Sequence, residues 1–139
     1  VIAYEGHQKT VEWLQAADPV SESPAKRLWA VVAEFARTQA AYHGRSRVVE
    51  YELTALSPDH YRVILGLRRK LTRHLREIVE AGAADGSFAV PDAEGVTIAI
   101  VSLCVDVCRW FPAGRYADPE TVANLHSELA LRLVNATTE

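Results

Sequence analysis

Cys104 and Cys108 stand at i, i+4 in an apolar segment, a spacing that puts two thiols on one face of a helix. Thiols so placed can ligate a soft metal or sense an oxidant. Their bland reading is as small buried hydrophobes, the commoner role of free cysteine. Five histidines, His7, His43, His60, His74 and His126, are scattered, and none has a second His or Cys at i+3 or i+4. That spacing gives no metal pair, so no metal site is expected. Arg109 and Asp106 interrupt the same apolar segment, and a charge there must be paired or face a polar cavity or seam. Arg109, followed by Trp110 and Phe111, suits an anionic, partly apolar ligand; a salt bridge to Asp106 accounts for it equally well. The run Arg68-Arg69-Lys70 with Arg73 and Arg76 resembles a phosphate patch. Arg69, Arg73 and Arg76 recur at i, i+4, i+7, however, which is the pattern of a solvated helix face diluted by Glu77 and Glu80. Around Tyr51, the charges Arg47, Glu50 and Glu52 read as interhelical ion pairs, with a polar ligand contact as the minority reading.

A glycine-rich phosphate loop, a GxSxG elbow, an HExxH helix and paired CxxC motifs are all missing, so the sequence gives no basis for an enzyme or a cofactor. The formal charge of −3 makes direct binding to polyanionic nucleic acid unfavourable. The longest charge-free run, Gly95 to Val105, is far short of the ~20 residues that cross a bilayer. With two cysteines and no secretory leader, a cytoplasmic setting is expected.

These side chains must be positioned by helices, because apolar residues recur at helical spacing and strand-like alternation is not sustained. At 139 residues, 49% of them hydrophobic, the chain is long enough for one domain with one core. The first block, Ile2 to Ala17, carries Tyr4, His7, Val11 and Leu14 and stops at Asp18-Pro19. Ser23-Pro24 opens a second helix with inner face Leu28, Val32, Phe35, Gln39 and Tyr42, ending at Gly44. Ser46 is placed to cap a short third helix through Val49, Leu53 and Leu56. Ser57-Pro58 opens the longest, with stripe Ile64, Leu67, Leu71, Leu75 and Ile78 and a frayed end at Gly82 and Gly86. Gly66, in its middle, either permits close helix packing or leaves room for a guest. Asp92 caps a fifth helix, Ala93 to about Trp110, apolar nearly all round, and Asp118-Pro119 opens a sixth. The expectation is an all-α, six-helix bundle in a single domain, residues 1–139. The last two helices carry more apolar surface than one small domain needs, which suits a two-fold pairing into a four-helix interface and a homodimer.

The order of these pieces resembles a known family. Arg47-Val-Val-Glu-Tyr-Glu-Leu53, Leu56-Ser-Pro58, the arginine-rich helix Arg62 to Glu80, Gly82 to Phe88, Arg109-Trp-Phe-Pro-Ala-Gly114 and Asp118-Pro-Glu120 together resemble the C-terminal regulatory domain of TetR-family transcriptional repressors. The similarity is strongest to the branch that responds to acyl-CoA thioesters in lipid and sterol catabolism. The resemblance implies that residues 1–17 connect to an N-terminal helix-turn-helix domain missing from this sequence. Operator DNA would be reached only through that domain. It implies a dimer interface from the last two helices, with Val96, Ile100, Leu103, Val107, Val122, Leu125, Leu129 and Leu133 as the candidates. It also implies a small hydrophobic or acyl-CoA-type ligand among the middle helices, touching Trp29, Val32, Phe35, Tyr51, Ile64, Leu67, Arg109 and Trp110. A free-standing helical module binding a protein partner or a small ligand is the alternative.

Overall fold

The computed structural model describes residues 2–137; Val1, Thr138 and Glu139 lie outside the described residues. Six α-helices follow in order: α1 (Ile2–Ala17), α2 (Pro24–Ala41), α3 (His43–Glu52), α4 (Pro58–Asp85), α5 (Ala93–Trp110) and α6 (Pro119–Leu133). A single 3-10 turn, Leu53–Ala55, joins α3 to α4, and no strand forms among the described residues. Four of the starts are set by side-chain caps. Ser23, Ser57, Asp92 and Asp118 each accept a backbone N–H from the first turn, and three of them are followed by proline, whose missing N–H costs nothing there.

Helix α2 is the axis of the bundle, packed most extensively on α6 and also against α1, α4 and α5. It contributes Leu28, Val31, Val32, Phe35 and Ala36 to a core shared with Leu71, Leu75 and Ile78 of α4, Ile100 and Cys104 of α5, and Val122 of α6. A smaller cluster of Ala3, Val49 and Ile64, with Leu53, Leu56 and Leu67 against it, joins the start of α1 to α3 and α4. No helix is long and apolar enough to cross a membrane among the described residues.

The structure revises the sequence reading in four places. Helix α2 stops at Tyr42, not Gly44, and Tyr42 serves at once as the end of α2 and the start of α3. The Ser46 N–H is already bonded to the Tyr42 carbonyl at 2.9 Å, so Ser46 lies inside α3 and does not cap it. On α1 the buried stripe begins at Ala3, and Tyr4 points out. Gly82 is a buried part of α4, and the helix ends at Gly86, whose φ of 83° is the left-handed conformation that glycine adopts freely.

Gly66 does neither of the things its position suggests. It is exposed, and a Cβ built there meets nothing within 4 Å. Gly66→Ala is therefore expected to stabilise the protein by up to about 1 kcal/mol, by helix propensity alone. A thermal melt showing a lower midpoint would refute this.

Candidate ligand cavity among five helices

A cavity of about 310 Å³ opens where α1 to α5 converge. Helix α1 lends Gly6, His7, Lys9, Thr10 and Trp13, and α2 lends Phe35, Thr38, Gln39 and Tyr42. Arg45, Ser46, Val49 and Glu50 come from α3, Arg68, Leu71 and Thr72 from α4, and Val101 and Val105 from α5. The size falls at the lower end of the range typical of small-molecule sites. Trp13 and Tyr42 stack with ring centroids 5.4 Å apart, tying α1 to the α2–α3 junction beside the cavity. The hydroxyls of Thr10, Thr38 and Thr72 donate to carbonyls of the preceding turn, so these residues add little free polarity.

The polar wall is built around one guanidinium. Arg68 Nε donates to His7 Nε2 at 3.0 Å, and its Nη2 donates to the Glu50 carboxylate. One side chain of α4 thus joins α1 to α3. His7 Nδ1 lies 2.7 Å from the Ala3 carbonyl, so Nδ1 carries the proton and Nε2 is free to accept from Arg68. Burial holds the His7 pKa below its usual value; the Ala3 carbonyl opposes this, and the charge of Arg68 adds to it. The imidazole is neutral at pH 7.

A second, more open recess of about 610 Å³ adjoins the first and shares Glu50, Arg68, Val101 and Val105 with it. Its other walls include Arg47, Tyr51, Asp106 and Arg109. Among the described residues Arg47 forms no ion pair. Its Nε and Nη2 donate to the Cys108 and Phe111 carbonyls at 2.6 and 2.7 Å, placing a cation on the last carbonyls of α5, where the helix dipole favours it. Arg109 is bound to Asp106 by two bonds of 2.8 Å, the ion pair that its sequence position allows. Cys104 and Cys108 are buried as core residues, and burial pushes the Cys104 thiol up to about 12. No group of three or more potential metal ligands occurs among the described residues.

Of the eight ligand candidates drawn from the sequence, Phe35 lines the inner cavity, while Tyr51 and Arg109 line the outer recess. The rest are placed elsewhere. Val32 is in the main core, and Ile64 and Leu67 belong to the small cluster under α1. Trp29 borders α6, where Ser127 donates to its carbonyl at 2.8 Å. Trp110 lies between Tyr116 and His126, with centroids 6.3 and 6.2 Å away. The ligand candidates drawn from the sequence include none of the five residues of α1, the segment identified there with the connecting helix, and not Arg68, which stands in the basic run weighed between a phosphate patch and a solvated face. The signal for α1 is its pair of polar-tipped rings, His7 and Trp13, within two turns.

The sequence of residues 21–134 matches the family model described as the tetracyclin repressor-like, C-terminal domain. This chain belongs to the TetR family, as its C-terminal domain. A TetR-family regulatory protein from Rhodococcus RHA1 has a similar structure, with a TM-score of 0.95 and 39% identity, over 99% of this chain and 72% of that one. PfmR, a TetR-family transcriptional regulator from Thermus thermophilus, shares the fold, with a TM-score of 0.78 and 23% identity over 99% and 75% of the two chains. No curated protein matches the sequence. The fold of the TetR-family domain is thus the expected all-helical one, and the family is one of transcriptional regulators.

The outer surface of the last two helices bears on assembly. Ile98, Leu103 and Leu133 are 53%, 42% and 40% exposed, and Leu125 and Leu129 are half-buried. Three interface candidates must be corrected: Ile100, Val107 and Val122 are buried within the chain, turned toward the core and unable to form an outer surface. Val96 is half-buried against that core.

Proposed function

We propose that this domain is the ligand-sensing and dimerisation part of a transcriptional repressor. A small hydrophobic or acyl-CoA-like molecule enters the five-helix cavity and lowers the affinity of the dimer for operator DNA. The supporting observation is that α1 forms one wall of the cavity, so that a guest touches it directly. In this reading α1 leads to the helix-turn-helix domain, and the guest acts by favouring one placement of that helix over another. Two recognition helices must sit roughly 34 to 36 Å apart to enter successive major grooves, so a modest change of α1 is enough to spoil the fit. Dimerisation uses the outward apolar surface of α5 and α6, centred on Leu103 and Leu133.

The purified protein is expected to enhance the fluorescence of 1-anilinonaphthalene-8-sulfonate, a compact apolar anion. Gln39→Trp puts an indole into the cavity. It is expected to abolish that signal while sedimentation still gives twice 15.4 kDa. Equal dye binding by the variant would place the ligand elsewhere, and a sedimentation mass of one chain would remove the dimer.

A further inference from the structure

The charged side chains on the inner cavity are Lys9, Arg45, Arg68 and Glu50, three cations and one carboxylate, beside a neutral His7. Arg45 is only loosely held, with Glu5 at 3.9 Å. The cavity therefore carries a surplus of positive charge on an otherwise largely apolar wall, which favours an anionic guest with an apolar body. Arg68 is the best placed of the three to receive the acid. It reaches both the inner cavity and the outer recess, as does its partner Glu50. Both side chains are about a third exposed, and an ion pair with that much solvent access contributes little by itself. A guest carboxylate can replace the Glu50 carboxylate at the same Nη2 donor, like for like, while its apolar body gains from leaving water.

We infer that the ligand is a carboxylic acid with an apolar body, and that Arg68 is the residue that reads the acid, exchanging Glu50 for the guest. The inference rests on the cavity reading above and adds the ligand's chemical class. The exchange breaks only the Arg68–Glu50 link, so Arg68 keeps its hold on His7 and hence on α1. Glu50, released toward the outer recess, is a competitor that sets how tightly an acid binds.

Calorimetric titration of octanoate and 1-octanol into the wild-type protein, Arg68→Gln and Glu50→Gln tests this. The wild type is expected to favour octanoate by about tenfold or more, the worth of one charge-assisted contact. Arg68→Gln is expected to bring the two ligands within about twofold, through loss of octanoate affinity. Glu50→Gln is expected to act in the opposite direction, tightening octanoate about threefold and leaving 1-octanol unchanged, because the competing carboxylate is gone. Retained acid preference in Arg68→Gln would assign the acid to Lys9 or Arg45 and overturn the inference while leaving the cavity reading intact. So would unchanged or weaker octanoate binding by Glu50→Gln, which also decides the matter if Arg68→Gln fails to fold. Binding of neither ligand to the wild type would remove the cavity reading and this inference together.

Discussion

Asp18→Ala is expected to lower the unfolding free energy by about 3 to 5 kcal/mol, the usual cost of breaking a buried ion pair on one side. The Asp18 side chain is 1% exposed, at the turn from α1 to α2. Arg27 of α2 grips it with two bonds of 2.9 and 2.8 Å, and His74 Nε2 of α4 lies 2.7 Å from the same carboxylate. Alanine leaves a guanidinium and an imidazole without their acceptor. The same cluster gives a pH dependence with a definite sign. Burial works to raise the Asp18 pKa, but the hydrogen bonds and charges of Arg27 and His74 outweigh it and hold it below the ordinary 3.8. Its contribution is present in full above that ordinary value and is lost as pH falls through the depressed folded value. Glu77, which also faces Arg27, adds to the negative charge around the cluster. Urea unfolding at neutral pH and at pH 3 checks both statements: the wild type should lose stability on acidification more steeply than Asp18→Ala. Parallel acid profiles would show that Asp18 is not the titrating group.

Gly82→Ala is expected to be destabilising by about 2 to 4 kcal/mol, although alanine is the better helix former. A Cβ at Gly82 would run into the ring of Phe88, which is itself in the main core. Phe88 folds back over the end of α4 with its N–H bonded to the Gly82 carbonyl at 2.9 Å, so the ring cannot move without giving up this turn as well. The gain in helix propensity is at most about 1 kcal/mol and is smaller than the cost of displacing a buried phenylalanine. The contrast with Gly66→Ala, in the same helix, isolates packing from propensity. Thermal midpoints that move in the same direction for both variants would contradict the assignment of Gly82 to a close approach.

The helices are legible in the sequence because their starts are chemically explicit. Ser23-Pro24, Ser57-Pro58, Asp92 and Asp118-Pro119 are local signals, and each cap forms as its residue type requires. The α2–α3 junction is not legible in this way. Gly44 and Ser46 carry the usual boundary chemistry, yet the break falls at Tyr42, where stacking on Trp13 of a distant helix supplies the reason. The cavity is hidden for a similar cause. Phe35 lies on a periodic apolar face and can be found from it, whereas His7 and Arg68 meet only after α1 is laid across α4. Periodicity states which face of a helix is turned inward, but not which neighbour that face meets.

The tie at Asp18 also gives α1 the mechanics of a lever. One end is held to both α2 and α4 by a single carboxylate, while the opposite half rests on the cavity. At 1.5 Å per residue, Thr10 lies about 12 Å from that fulcrum and Ile2 about 24 Å. A tilt that lifts the helix by about 1 Å at Thr10 corresponds to about 2 Å of backbone movement at Ile2, and that longer stroke works against the packing of Ala3 on Val49 and Ile64.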